Sequence, residues 1–156
     1  MGIGPSTKET TLHHFRDPLL DIVSNDEEID LLGIIVVGTP QDNEDKLFVG
    51  TKAASWAEAM RADGAILSSD GWGNSHVDFA NTVEQVATRG IPVVGLTFVG
   101  TVAQFVVVNE YMDTIVDMNK NPEGIESEIV GENEVTELEA RKALAFLKLK
   151  MRKYGK

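Results

Sequence analysis

The loop Asp70-Gly71-Trp72-Gly73-Asn74 combines residue types that suit ligand binding. Its two glycines permit positive φ and let the backbone approach a ligand closely. Asn74 or the following Ser75 suits a helix N-cap, which leaves backbone N–H groups pointing outward toward an anion. An exposed indole is costly, so Trp72 indicates either a ligand or partner site or a tight turn whose tryptophan packs over a sheet. The glycine spacing does not match the dinucleotide-binding fingerprint.

The elements that flank this loop predict an α/β fold. Short, continuously apolar runs are typical of buried parallel strands, and three of them cover residues 31–38, 64–69 and 91–97. Residues 113–118 are predicted to form a fourth strand. Apolar residues recur at helical spacing over 51–62 and 76–89, with Thr51 as an expected N-cap and Trp56 on an apolar, core-facing side. We therefore predict a doubly wound, mostly parallel sheet of four to five strands with helices on both faces.

The remaining segments fit a single domain of 156 residues. We expect an N-terminal arm over 1–30 with a short helix after Pro18, a core over 31–131 and a C-terminal helix over 134–154. A capping box at Thr136 opens that last helix, which is expected to bury Leu138, Leu144, Phe146 or Leu147, and Met151. Residues 102–112 suit a short buried helix or, in part, a strand, and 125–130 suit a fifth strand or a loop.

This fold predicts where a ligand would bind. In an open parallel sheet the binding edge lies beyond the carboxyl ends of the strands, where loops and helix N-termini converge. The candidate ligand-binding residues at that edge are Thr39, Asn43, Ser69, Asp70, Gly71, Trp72, Gly73, Asn74 and Thr97.

Composition excludes several classes of function. The 156 residues contain no cysteine, which rules out disulfides, thiolate metal sites and thiol redox chemistry from this chain. All 25 acidic residues lie at or before Glu139, against seven of the 14 basic ones, so this body carries a net charge of −18. Such a body repels the phosphates of nucleic acids. The seven basic residues after Glu139 suit a helix C-terminus, and a docking patch is the alternative interpretation.

The sequence predicts neither a membrane protein nor a metalloprotein. No apolar run approaches the roughly 20 residues of a membrane span, and the first residues lack the regions of a signal peptide, so we expect a cytoplasmic protein. His13 and His14 point apart on either a strand or a helix, and no carboxylate spacing completes a metal-ligand set.

Two enzyme-like hypotheses have little support in the sequence. A flavodoxin-like electron carrier needs a phosphate-cradling run of Ser, Thr and Gly after the first strand, and the loop at Thr39 lacks one. A hydrolase could draw on Ser68, Ser69, His76 and Asp78, but no Gly-x-Ser-x-Gly elbow is present.

Several segments together resemble a known family. They are the N-terminal run from Gly2 to Pro18, the first apolar run into Gly38-Thr39-Pro40, Ala62-Asp63-Gly64-Ala65-Ile66 and Asp70-Gly71-Trp72-Gly73-Asn74. Over nearly the whole chain, these segments are similar to the glycine/sarcosine/betaine and D-proline reductase family. Within it, the chain resembles the part of the D-proline reductase proprotein that follows its processing site, and a short paralogue encoded beside proline reductase in amino-acid-fermenting anaerobes.

The resemblance implies a mechanism that is shared between chains. In the family, the proprotein is cleaved at a cysteine that becomes an N-terminal pyruvoyl group, and this group engages the nitrogen of the amino acid. A selenocysteine on a separate subunit then attacks the activated carbon, and the C–N bond is cleaved. The resemblance would place Ser6, Thr7, Lys8 and His13 near the family's active carbonyl.

The chain departs from the family where the precursor cysteine is expected, because Met1-Gly2 precede Ile3-Gly4-Pro5. If Met1 is the native start, this chain supplies no pyruvoyl cofactor, and we expect a non-catalytic component that binds reductase subunits or itself. The alternative is an amino-acid-binding or sensor protein, with proline or glycine as ligand at the strand edge. A nucleic acid or a membrane is not expected as a partner.

Overall fold

The computed structural model describes residues 17–69, 75–99, 105, 107–124 and 135–156. The helices and strands of these ranges are, in chain order, α1 Pro18–Ser24, α2 Asn43–Ala59, β1 Ala65–Ser68, α3 Ser75–Ala87, β2 Val93–Thr97, β3 Ile115–Asp117 and α4 Glu137–Lys153. The predicted α/β class is confirmed, as are the short helix after Pro18 and three of the predicted strands.

The three strands form one parallel sheet in the order β1-β2-β3. Ala65 lies opposite Val93, and Gly95 lies opposite Ile115. Helices α2 and α3 pack on one face of the sheet, against Val93, whereas α4 packs on the other face, against Val94. Within the described ranges the order of the strands in the sheet follows their order in the chain. Because both strand pairs are parallel, the carboxyl ends of all three strands lie along one edge of the sheet.

The predicted strand over 31–38 is wrong. Among the described residues they pair with no strand, and Leu32, Ile34 and Val36 are exposed. Residues of this segment and of β1 line the same cavity of about 630 Å³. The sheet therefore has three strands in the described ranges, fewer than the four to five predicted. An apolar run indicates an extended segment, but it does not supply the partner strand.

Two further predicted segments are the helix at 102–112 and the possible fifth strand at 125–130. Residues 107–112 form a turn closed by a hydrogen bond from the Met112 N–H to the Asn109 carbonyl, so the part of the predicted helix 102–112 that is described there is not helical. The possible fifth strand at 125–130 lies outside the described residues.

Helix α2 begins eight residues earlier than predicted, so Thr51 is not its N-cap. The cap is Asp42, whose carboxylate accepts a hydrogen bond from the Glu44 N–H at 2.8 Å. The acidic loop thus becomes the first turn, where negative side chains interact favourably with the helix dipole. The buried side of α2 consists mainly of small residues, and Trp56 is 58% exposed, so its predicted burial is wrong.

Small residues let the layers approach closely. A methyl group at Gly50 would lie 2.2 Å from Nδ2 of Asn81, and one at Gly95 would lie 2.4 Å from Cδ1 of Ile115 and 2.8 Å from Cζ of Phe79. Helix α3 therefore sits directly over β2. This approach brings the first turn of α3 to the carboxyl edge of the sheet.

The capping box of α4 is confirmed. Burial alone would raise the pKa of Glu139, but hydrogen bonds from Thr136 and an ion pair with Lys120 hold that pKa below its ordinary value. Leu144 and Leu147 are buried as predicted and Met151 packs against the same core, whereas Leu138 and Phe146 are exposed. Helix α4 is further tied to the rest of the chain by Lys148, which lies 2.6 Å from Asp26.

Candidate functional site

Three polar residues lie at the carboxyl ends of the strands, on the face that α2 and α3 cover: Ser69 directly after β1, Thr97 at the end of β2 and Asp117 at the end of β3, here called the polar edge. Their placement follows from the alternation of side chains along a strand. Leu67, Val93 and Ile115 belong to the core on the α2 and α3 side, and the polar-edge residues lie two or four positions after them. The Ser69 N–H donates to the Leu96 carbonyl at 3.0 Å, which keeps the ends of β1 and β2 together.

The first turn of α3 covers this edge. Phe79 lies over Gly95 on β2, and Thr97 is two residues further toward the carboxyl end on the same face. Ser75 and His76 lie about one helical turn before Phe79, so they approach the level of Thr97. Thr97 and His76 are completely buried.

His76 is held as a neutral imidazole. Its ring centroid lies 4.5 Å from that of Phe105, and neither ring nitrogen has a hydrogen-bond partner among the described residues. Burial lowers the pKa of His76, because an imidazolium would lose its hydration there. The neutral ring offers one donor and one acceptor nitrogen to a ligand or a water molecule.

A buried ion pair fixes the same helix from the other side. Nζ of Lys46, in the first turn of α2, lies 2.6 Å from Oδ2 of Asp78 on α3. The Asn81 side-chain amide reaches the Lys46 carbonyl at 3.4 Å, and the Thr82 hydroxyl donates to the Asp78 carbonyl at 2.7 Å. The pair therefore anchors the N-terminal half of α3 to α2, and with it the position of His76.

Unsatisfied polar atoms concentrate near this helix terminus. In the described part of the chain, the buried atoms without a hydrogen-bond partner include Ser75 Oγ, both ring nitrogens of His76, Asp78 Oδ1 and Thr97 Oγ1. Leaving such groups unpaired costs roughly 1–3 kcal/mol each, so water or a ligand is needed to satisfy them. Together they offer hydroxyl groups, an imidazole and a carboxylate oxygen, a set that suits a small polar ligand.

The arrangement does not suit an independent hydrolase. Nucleophilic catalysis needs a hydrogen bond between the nucleophile and its base, and Ser75 Oγ has no such bond to His76. Asp78 pairs with Lys46 rather than with the imidazole. The described residues also contain no group of three or more His, Cys, Asp or Glu side chains that could hold a metal ion.

The structure brings together only some of the predicted site residues. Ser69 and Thr97 lie at the ends of paired strands, whereas Thr39 and Asn43 are exposed just before and at the start of α2. The central loop Asp70, Gly71, Trp72, Gly73, Asn74 and the arm residues Ser6, Thr7, Lys8 and His13 lie outside the described residues. These assignments stay predictions.

Lys46 and Asp117 also belong to this region, although neither is among the residues predicted for the site. Lys46 lies in an acidic segment that the sequence predicts as a loop rather than as part of a helix. Asp117 ends β3, and its carboxylate accepts hydrogen bonds from the N–H groups of Val99 and Asn119, both at 3.0 Å. The alternation from Ile115 in the predicted fourth strand already placed Asp117 on this face.

Comparison with known proteins identifies the relationship. Residues 2–139 match the family described as glycine/sarcosine/betaine reductase component B subunits. This chain belongs to that family. It is also 45% identical over 146 residues to the D-proline reductase proprotein PrdA of Acetoanaerobium sticklandii. That alignment covers 94% of this chain but 23% of the relative, so the chain spans about a quarter of its length.

The reductase family match contains the whole polar edge and the first turn of α3, whereas most of α4 follows residue 139. The resemblance inferred from the sequence is thereby confirmed at the level of the family. No solved structure matches the chain. No helix within the described ranges has the length and apolarity needed to cross a bilayer.

Proposed function

We propose that this chain is a non-catalytic component of an amino-acid reductase system and acts by binding reductase subunits. The observation that carries the proposal is the 45% identity to the D-proline reductase proprotein over 94% of this chain. Identity of that extent preserves a surface as well as a core, so we expect the chain to occupy a place comparable to that of the matching proprotein segment.

The side chains of the chain argue against independent catalysis. By resemblance, the family's reaction uses an electrophilic pyruvoyl group made from a cysteine, and a selenocysteine on another chain. The 156 residues contain no cysteine, so they lack the residue from which the family makes its pyruvoyl group. The polar edge and His76 can donate and accept hydrogen bonds, but they supply neither an electrophilic carbonyl nor a soft nucleophile.

Affinity capture tests this proposal. The chain, tagged after Lys156, is used to capture proteins from an extract of cells fermenting proline, and mass spectrometry identifies them. An unrelated acidic α/β protein with the same tag is the control. Specific recovery of the selenocysteine subunit and the processed pyruvoyl subunit supports the proposal, and recovery of neither overturns it.

The mass of the purified chain tests the non-catalytic part separately. We expect the mass of the encoded residues, with or without Met1, and no reaction with a hydrazide reagent. An N-terminal carbonyl, detected as a hydrazone, would contradict a non-catalytic function even if the subunits are captured.

A second candidate function is binding of an amino acid at the polar edge. It is favoured by the buried unpartnered atoms of Thr97 and His76 at the carboxyl end of the sheet. The chain has two tryptophans, so a Trp56→Phe background leaves Trp72 as the single fluorescent reporter. Saturable quenching by D-proline, L-proline or glycine that is lost in Thr97→Val supports this function. The absence of any response in fluorescence and in calorimetry overturns it.

A further inference from the structure

We propose that copies of this chain associate head to tail, with the outer side of α4 in one copy packed on the outer side of α2 in the next. The proposal rests on two helical layers that lie on opposite faces of the sheet and differ in charge. It does not depend on the reductase function proposed above.

Helix α4 is apolar on two sides. Its inner side packs in the core through Ala140, Ala143 and Leu147. Its outer side carries Leu138, Phe146 and Leu149, which are 42% to 58% exposed and follow the helical repeat. Lys142 and Lys153 lie on the same exposed stripe. A second apolar stripe on a helix that already packs against the core indicates contact with another surface.

Helix α2 presents a corresponding surface on the opposite face of the molecule. Leu47, Phe48 and Trp56 are 51% to 59% exposed, although the small residues of the same helix are buried. The first turn adds the exposed acidic residues Glu44 and Asp45. Lys52 is also exposed on this side, with its ammonium group 5.3 Å from the centroid of the Phe48 ring. The acidic charge beside the apolar residues of α2 therefore comes from its first turn, whereas the outer stripe of α4 is apolar and basic.

Charge complementarity identifies the occupant of each surface. The outer stripe of α4 carries the exposed Lys142 and Lys153, whereas Lys148, Lys150 and Arg152 of the same helix pair with Asp26, Asp113 and Glu28 of the same chain. The surface of α2 carries the exposed Glu44 and Asp45 in its first turn. A second copy of the chain thus offers each layer a partner of opposite sign, and complementary charges accelerate and orient such an encounter.

The fold determines the kind of assembly. Because α2 and α4 lie on opposite faces of the sheet, their outer sides point in opposite directions. One copy cannot use both surfaces on the same neighbour, so the contact is heterologous and continues from copy to copy unless the rotation closes a ring.

Two variants that each remove one surface test this assembly. Phe146→Asp/Leu149→Asp disrupts the α4 surface, and Leu47→Asp/Phe48→Asp disrupts the α2 surface. Val108→Asp, at a residue that is 70% exposed and outside both helices, is the matched control. Sedimentation velocity of the full chain over a concentration series measures association, and circular dichroism verifies that each variant is folded.

The wild-type chain and Val108→Asp are expected to show sedimentation coefficients that rise with concentration. Each double variant alone is expected to associate at least about tenfold more weakly, since aromatic and leucine anchors are removed. An equimolar mixture of the two should restore association but stop at a one-to-one complex, because only one intact surface of each kind remains. Should either variant fail to fold, Lys142→Glu/Lys153→Glu tests the α4 surface by charge alone.

Three results would overturn the proposal. A wild-type chain that is monomeric at all concentrations has no such contact. Unchanged association of the α2 variant indicates a symmetric contact through α4 or another surface. A mixture of the two variants that stays monomeric shows that the two surfaces do not bind each other.

Discussion

The ammonium group of Lys46 lies 2.6 Å from Oδ2 of Asp78, although 32 residues separate the two in the sequence and both side chains are almost completely buried. The pair joins the first turn of α2 to that of α3. A buried charge that loses its partner is strongly destabilising, whereas replacing both charges by apolar groups often costs little.

We expect Lys46→Met to lower the free energy of unfolding by about 3–5 kcal/mol, because it leaves the Asp78 carboxylate buried and unpaired. The double variant Lys46→Met/Asp78→Leu should recover a large part of that loss. Urea unfolding of the single and double variants measures the coupling. Lys52→Met is the control, since Lys52 is exposed on the same helix. Equal losses for Lys46→Met and Lys52→Met would contradict the structural function of the pair.

The lowered pKa of His76 predicts a loss of stability in mild acid. Because burial depresses this pKa in the folded state, the unfolded chain binds more protons below about pH 6.5. Stability is therefore fully present above that pH and decreases as the pH falls through the folded pKa. His76→Leu should remove this step in a series of thermal melts. His13 and His14 are retained in the variant, so a persistent step would assign the effect to them.

Thr97→Val is expected to leave the free energy of unfolding unchanged or to raise it by up to about 1 kcal/mol, because the buried hydroxyl it removes has no hydrogen-bond partner in the described part of the chain. Thr82→Val is the matched comparison. Its hydroxyl is also buried but donates to the Asp78 carbonyl at 2.7 Å, so its loss should cost about 1 kcal/mol. Denaturant titrations measure the free energy of unfolding of both variants relative to the wild-type chain. Equal destabilisation would show that the Thr97 hydroxyl is satisfied in solution by a bound water.

Gly95→Ala is expected to lower the free energy of unfolding by about 1–3 kcal/mol through overpacking. The added methyl group would overlap Ile115 and Phe79 and push α3 away from β2. Gly33→Ala is the control, because nothing lies within 4 Å of the added methyl group. Combining Gly95→Ala with Phe79→Leu should restore part of the loss in thermal unfolding. No difference between the two glycine variants would contradict the close approach.

Thr136→Ala removes the α4 cap, so we expect it to lower the free energy of unfolding by about 1 kcal/mol relative to Thr136→Ser. Urea unfolding of the two variants measures this difference. Serine keeps the hydroxyl that accepts from the Leu138 N–H. Because the folded pKa of Glu139 is lowered, its contribution is present above the ordinary carboxyl pKa and is lost as the pH falls through the folded value. If the alanine and serine variants have the same free energy of unfolding, the capping hydroxyl contributes nothing to stability.

Local signals in the sequence determined the class of the fold and where two of its helices begin. The apolar runs at 64–69 and 91–97 and the predicted strand at 113–118 contain the three observed strands, since β-branched residues in such segments fit a buried parallel sheet. The cap at Thr136 and the helix after Pro18 also follow from residue type alone. Segments characteristic of the family made the relationship visible before the fold was known.

Tertiary structure decided the pairing, the faces and the buried charges. The apolar run at 31–38 has the composition of a strand, but it pairs with no strand in the part of the chain that the structure describes. Trp56 has helical spacing, but the buried side of α2 consists mainly of small residues, with Gly50 close to Asn81, and Trp56 lies on the exposed side. Lys46 meets Asp78 only because α2 and α3 pack side by side. A sequence pattern records the period of a segment, whereas contacts between distant segments depend on the three-dimensional packing that the pattern does not contain.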